Sequence, residues 1–200
     1  ANTTGGYNTS IGDTSLDANT TGNNNTALGH NALGANTTAS DNTAVGRSAL
    51  GGNTTGAQNT AVGRKALQQN NADNNTAVGY YALEANTTGS ENTAVGKEAL
   101  KNNTTGINNS VLGVTALLAN TTGRDNTSVG QSSLKANTTG SNNTAVGRVA
   151  LFAATTANNN TAVGYAALNS CTTGVDNVGI GCSALDSSTT GERNVAIGYE

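Results

Sequence analysis

The sequence predicts an all-β protein, a parallel β-solenoid of about twelve 17-residue coils, and three observations lead there. Glycine recurs at Gly12, Gly29, Gly46, Gly63, Gly79, Gly96, Gly113, Gly130, Gly147, Gly164, Gly181 and Gly198, in steps of 17 residues apart from the 16-residue step between Gly63 and Gly79. One place before each glycine stands an aliphatic residue: Ile11, Leu28, Val45, Val62, Val78, Val95, Leu112, Val129, Val146, Val163, Ile180 and Ile197. Third, Phe152 is the only Phe and Trp and Met are absent, so the 200 residues cannot close a conventional globular core. Low hydrophobicity rich in Gly, Asn, Thr and Ala would otherwise suggest disorder, but disorder needs no register. A fixed short period is the signature of stacked repeats, whose hydrophobic residues find shelter only when coil lies on coil.

Each unit reads Asn-Thr-Ala-Val-Gly, two variable residues, Ala-Leu, two variable residues, Asn-Thr-Thr-Gly and two more variable residues. The first five form a short strand. Alternation places Thr43 and Val45 on one face and Asn42, Ala44 and Gly46 on the other. Helix is excluded by Asn, Thr and Gly recurring every few residues, all poor in helix interiors. Without proline, the turns fall to Gly and Asn, which reach positive φ at little cost. The aliphatic column and the leucine column (Leu16, Leu33, Leu50, Leu67, Leu83, Leu100, Leu117, Leu134, Leu151, Leu168, Leu185) are expected to fill the interior. Parallel strands about 4.8 Å apart then give a rod on the order of 50 Å long.

Asparagine opens every copy, and Asn25, Asn42, Asn59, Asn75, Asn92, Asn109, Asn126 and Asn143 are expected to stack as a structural ladder, each amide bonding to the coils on either side. A second column (Asn19, Asn36, Asn53, Asn70, Asn86, Asn103, Asn120, Asn137) lapses at Ala154, Cys171 and Ser188, where the stack should loosen. The coil from Leu67 to Gly79 lacks one residue and carries Asn71-Ala72-Asp73 in place of Thr-Thr-Gly. A corner is expected to tighten there with the strand register kept.

If valine and leucine point inward, the small residues opposite point out. Ala27, Ala44, Ala61, Ala77, Ala94, Ala145 and Ala162 then form a flat apolar strip, either a subunit interface or a bare alanine face. At this point the copies, Asn194-Val195-Ala196-Ile197-Gly198 most closely, resemble the Asn-Ser-Val-Ala-Ile-Gly repeats of the YadA-type heads of trimeric autotransporter adhesins. Related repeats occur in phage-tail-type fibre proteins. The resemblance covers nearly the whole chain, although the unit is longer than that family's usual one. It implies a left-handed parallel β-roll, a homotrimer, and attachment at a cell surface or on a virion fibre, outside the cell.

Other functions find little material. The formal charge of −3 is too mild for a phosphate-neutralising nucleic-acid binder. No apolar run reaches the roughly 20 residues that span a bilayer, so any membrane anchoring belongs to parts outside this segment, and residues 1–200 read as one repeat domain within a longer fibre protein. His30 is the sole histidine and no Ser-His-Asp or Cys-His set forms around it, so no enzyme is expected. The aspartates fill no column continuously, so neither metal nor cofactor is expected. Cys171 and Cys182 occupy different columns and read as free thiols, pairing only if adjacent coils bring them together.

Variation is confined to three pairs of positions per coil, where recognition must lie. Arg47, Arg64, Lys65, Tyr80, Tyr81 and Lys97 combine basic and aromatic groups at coil spacing, suited either to a glycan or anionic receptor polymer or to an ordinary solvated edge. Thr-Thr pairs such as Thr54-Thr55 and Thr87-Thr88 leave a further alternative, a monomeric solenoid that binds ice or polysaccharide through a flat Thr/Asn face. Adjacent threonines point to opposite sides of a strand, so one of each pair would contribute.

Overall fold

A computed structural model describes residues 2–199. It contains twelve three-residue strands: β1 (Thr9–Ile11), β2 (Thr26–Leu28), β3 (Thr43–Val45), β4 (Thr60–Val62), β5 (Thr76–Val78), β6 (Thr93–Val95), β7 (Ser110–Leu112), β8 (Thr127–Val129), β9 (Thr144–Val146), β10 (Thr161–Val163), β11 (Val178–Ile180) and β12 (Val195–Ile197). They form one parallel sheet in chain order, each strand the neighbour of the next. The chain is a β-solenoid, and no helix interrupts it among the described residues.

One strand per coil leaves most of each unit to turns, and these are wound through positive φ. In the third coil Asp41 (φ 62°), Gly46 (φ 129°), Ser48 (φ 57°) and Leu50 (φ 49°) all adopt it. A left-handed non-glycine residue costs about 1 kcal/mol or more, so neighbouring coils must hold it there. They do so by hydrogen bonds: the Ser48 N–H donates back to the His30 carbonyl at 2.9 Å and the Leu50 N–H forward to the Ala66 carbonyl at 3.0 Å. The turn thereby carries its own ladder, and its bend swings the leucine into the coil.

The leucines fill the interior as expected: Leu33, Leu50, Leu67, Leu83, Leu100, Leu117, Leu134, Leu151 and Leu168 are fully buried. The strands face the other way from expectation. Ala27, Ala44, Ala61, Ala77, Ala94, Ala145 and Ala162 are 0 % exposed and belong to the core, so the alanine column is no subunit interface. The valine column points outward with the threonines. Space is the reason: a Cβ built on Gly179, which occupies the alanine column, would already lie 3.1 Å from Leu168 Cγ and 3.0 Å from the Ala184 carbonyl oxygen. Beneath most strands the space suits a methyl group, and Val111, 2 % exposed in the same column, is the larger residue that the layer takes in. Where serine replaces alanine in this layer it comes in pairs, Ser10 with Ser15 and Ser128 with Ser133, each hydroxyl finding the other.

Both asparagine columns are buried. In the first, the Oδ1 of one residue accepts the backbone N–H of the next, as from Asn42 to Asn25 at 3.0 Å, while Nδ2 donates to a corner carbonyl, Asn42 to Gly56 at 2.9 Å. Amide-to-amide bonds join this column from Asn75 onward, beginning with Asn92 to Asn75 at 3.3 Å. The second column is built on amide-to-amide bonds, such as Asn120 to Asn103 at 2.8 Å, and it donates to the same corner carbonyls.

The second ladder stops where the sequence says. Asn137 Oδ1 is buried without a partner because the next coil offers Ala154, and Cys171 fills the following place with its thiol 3.8 Å from the Gly174 carbonyl oxygen. Burial pushes that thiol's pKa up, and Cys171 and Cys182 are both free. Asn53 Oδ1 is the other orphan, since Asn70 of the short coil turns its amide to the Ala72 carbonyl at 2.7 Å. An unpartnered buried acceptor costs about 1–3 kcal/mol. Extending the ladder with Ala154→Asn, Cys171→Asn and Ser188→Asn together, so that its last acceptor stands at half-buried position 188 within reach of solvent, is therefore expected to stabilise the chain by on the order of 1 kcal/mol. Chemical denaturation checks this, and an unchanged or lowered midpoint would count against the ladder's energetic role.

The short coil keeps its register, pairing Thr60 with Thr76, Ala61 with Ala77 and Val62 with Val78. The missing residue corresponds to the exposed second threonine of the corner, and side chains make good the contacts. Asn71 Oδ1 accepts from the Thr54 N–H at 2.8 Å and Asp73 Oδ1 from the Ala57 N–H at 2.7 Å.

Candidate functional site

Two surfaces run along the rod. The first is the outer face of the sheet, where the first and third residues of every strand project: a threonine rank (Thr26, Thr43, Thr60, Thr76, Thr93) beside an aliphatic rank (Leu28, Val45, Val62, Val78, Val95). Within a strand the ranks are about 6.6 Å apart, and successive rows rise by about 4.8 Å. Ile11, Leu28, Val62, Val78, Leu112, Ile180 and Ile197 are 36–75 % exposed, and half-buried Val45, Val95, Val129, Val146 and Val163 complete the aliphatic stripe between them. Alternation in the strand makes this face as surely as it makes the core.

The corner threonines divide their work. The first of each pair is half-buried and its hydroxyl is spent between coils, as when Thr104 Oγ1 donates to the Thr121 carbonyl at 3.0 Å. The second, as at Thr105 and Thr122, is exposed. Asparagine takes no part in any flat outer face built on the repeat's two amide columns, because those columns lie inside. The exposed flat array is threonine and valine, which corrects the expectation of a Thr/Asn face.

The second surface is the edge just past the strands. Arg47, Arg64, Tyr80 and Lys97 follow their glycines on successive coils, with Lys65 and Tyr81 next to Arg64 and Tyr80. Four of the six expected edge residues come together. Tyr80 and Tyr81 have ring centroids 4.2 Å apart at a tilt of 58°. The Arg64 guanidinium carbon lies 5.7 Å from the Tyr80 ring centroid and 5.9 Å from that of Tyr81, and Lys65 Nζ lies 5.1 Å from the Tyr81 centroid. Arg47 and Lys97 continue the exposed column on either side.

The structure adds two residues to this group. Lys101 Nζ sits 5.0 Å from the Tyr81 centroid, and Glu84 bridges the lysines, 3.6 Å from Lys65 and 3.8 Å from Lys101. Both come from the pair of positions after the leucine, 17 residues apart, and the turn carries them onto the side where Lys65 and Tyr81 stand. The signal in the sequence was charge alternation in that column, with Glu84 followed by Lys101. The two phenols are driven apart in acidity. Tyr81 is held below the usual tyrosine pKa by its close pairing with Tyr80 and then by Lys65 and Arg64, while the same pairing, aided by desolvation, pushes Tyr80 up. A smaller copy of the motif recurs where Arg148 lies 5.8 Å from the Tyr165 ring.

Among the described residues there is no enclosed pocket and no group of three or more His, Cys, Asp or Glu that could hold a metal ion. His30 stands at the surface, 3.7 Å from Asp13. Among the described residues no helix is long and apolar enough to cross a membrane. Comparison with family models, with curated proteins and with solved structures finds no match for this chain.

Proposed function

We propose that the chain is a structural and adhesive fibre segment, a stalk or head that associates as a homotrimer through the threonine–valine face of its sheet and presents its edges to a surface outside the cell. The observation that carries this reading is the unbroken outward aliphatic stripe. Val, Leu or Ile faces outward on every strand from β1 to β12, exposed on seven of them and half-buried at Val45, Val95, Val129, Val146 and Val163, which is more apolar surface in one line than a soluble single chain ordinarily leaves bare. A rod made of identical coils offers the same stripe at every level, so copies can align along their length. The number three rests on the resemblance to YadA-type heads, as does placement on a cell or virion.

Sedimentation tests it. The expected particle has about three times the 19.7 kDa chain mass, and Val95→Lys with Val146→Lys is expected to return single folded chains with unchanged circular dichroism. A wild-type chain that sediments alone at micromolar concentration would remove the assembly. One observation favours a second reading: the outward threonines form a flat, regularly spaced rank that could order water. A monomer with thermal hysteresis activity, lost on replacing Thr43 and Thr60 by lysine, would support ice binding in place of the fibre.

A further inference from the structure

We propose that Arg64, Lys65, Tyr80, Tyr81 and Lys101 form a binding site for an acidic polysaccharide lying along the solenoid axis. The proposal rests on the adhesive half of the function above and names its ligand; it does not depend on the number of chains.

The members come from three successive coils and are held to one another before any ligand arrives. Tyr81 is the post: Lys65 and Lys101 stand over its ring at 5.1 and 5.0 Å, and Glu84 ties their far ends at 3.6 and 3.8 Å. Long cationic side chains normally lose rotamer freedom on meeting an anion. Here much of that loss has been taken in folding. Tyr80 is 41 % exposed, with Arg64 the one cation over its ring. Its open side offers a flat apolar surface of the size of a sugar ring, with a hydroxyl at its rim.

Charge selects the class of sugar. At this edge Arg64, Lys65, Lys97 and Lys101 outnumber Glu84 and Glu98; Asp73 and Glu91 of the same coils come before β5 and β6, at the other end of the strands from Tyr80 and Lys97, so the positive surplus belongs to the edge and not to the coils as a whole. Carboxylates spaced along a polymer would meet these cations in turn, since Arg47, Arg64, Tyr80 and Lys97 mark consecutive coils at about 4.8 Å. The surface is open, with no pocket among the described residues, which suits a chain laid across it better than an enclosed small molecule. The surplus is too small for the dense phosphate array of a nucleic acid, and the two tyrosine rings tilt against each other instead of offering parallel stacking platforms.

The test is affinity electrophoresis of the intact chain in gels containing polygalacturonate, neutral dextran or single-stranded DNA, with sedimentation run on each variant. The expected result is retardation by polygalacturonate alone, weakened by added salt. Arg64→Ala with Lys101→Ala is expected to lower the affinity at least tenfold, and Tyr80→Ala severalfold, while Arg124→Ala, away from the site, binds as wild type. Melting temperatures should stay near wild type because the altered side chains are at the surface. Equal retardation by dextran, tighter binding to DNA, no retardation in any gel, or affinity unchanged in the double variant would each overturn the proposal. Because mass is measured alongside, a chain that assembles without binding and one that binds without assembling are told apart.

Discussion

Gly96→Ala is expected to destabilise the chain by roughly 3 kcal/mol or more and to lower its denaturation midpoint accordingly. Gly96 has φ 137°, where an L side chain is strained, and its Cβ would lie 2.5 Å from the carbonyl oxygen of Gly113 on the next coil. Neither atom can step aside, since the Gly113 N–H is bonded to the Val95 carbonyl at 2.8 Å and the same stacking repeats above and below. In a quasi-one-dimensional fold the coils on either side depend on each other only through such contacts. A fault in the middle is therefore expected to broaden the transition as well as shift it. Gly34→Ala makes a fair comparison. It lies at a corner position that other coils fill with Gln68 or Lys101, and its Cβ would meet chiefly the flexible Asn31 side chain. Equal losses from the two would show that the glycine column is not held by backbone approach.

Ala94→Glu is expected to unfold the coils around it, at a cost of several kcal/mol for an unpaired buried carboxylate. Ala94 is 0 % exposed and lies in the same cluster as Leu83 and Leu100. One residue along, Val95→Lys places its charge on the outer face and is expected to leave circular dichroism and the melting of the single chain nearly unchanged. The contrast between adjacent residues is the strongest consequence of the strand's orientation. Were Ala94→Glu to fold normally while Val95→Lys collapsed, the faces would have been assigned the wrong way round.

Much of this architecture could be read from the period. Strand positions, the leucine interior, the kept register across the short coil and the end of the second asparagine ladder all follow from which residue recurs where. What misled was size. Valine and leucine look like the natural interior because a single unit cannot bury them alone, yet period-two alternation puts Asn42 and Ala44 on one face. A buried asparagine ladder already required a buried alanine column. The missing knowledge was the depth of the coil, which is set by positive-φ turns that bring leucine directly under the strand. Those turns leave a partial trace: in eight of the twelve copies the place before the opening asparagine holds Asn or Asp (Asn24, Asp41, Asn74, Asn108, Asp125, Asn142, Asn159 and Asp176), residue types that accept positive φ readily, while Tyr7, Gln58, Glu91 and Arg193 take the same conformation without that trace. No such trace marks the leucines, whose conformation is imposed by hydrogen bonds from adjacent coils.

The edge site was half legible for a related reason. Arg64, Lys65, Tyr80 and Tyr81 are neighbours in sequence or at one coil's remove, so the repeat itself brings them together. Glu84 and Lys101 join them only because the turn folds the positions after the leucine back toward the same side, and that needs the turn's path. Arg47 and Lys97 share the exposed column, while the cations over the tyrosine rings are Arg64, Lys65 and Lys101.

Thiol labelling would test the orientation of the strands most directly. Ala145→Cys and Val146→Cys are compared, each with Cys182→Ser, at dilutions where sedimentation reports single chains. The Val146→Cys thiol, on the half-buried outer rank, is expected to react in the folded chain, while the Ala145→Cys thiol, like buried Cys171, reacts only as the chain unfolds. Rapid labelling at position 145 with protection at 146 would contradict the account.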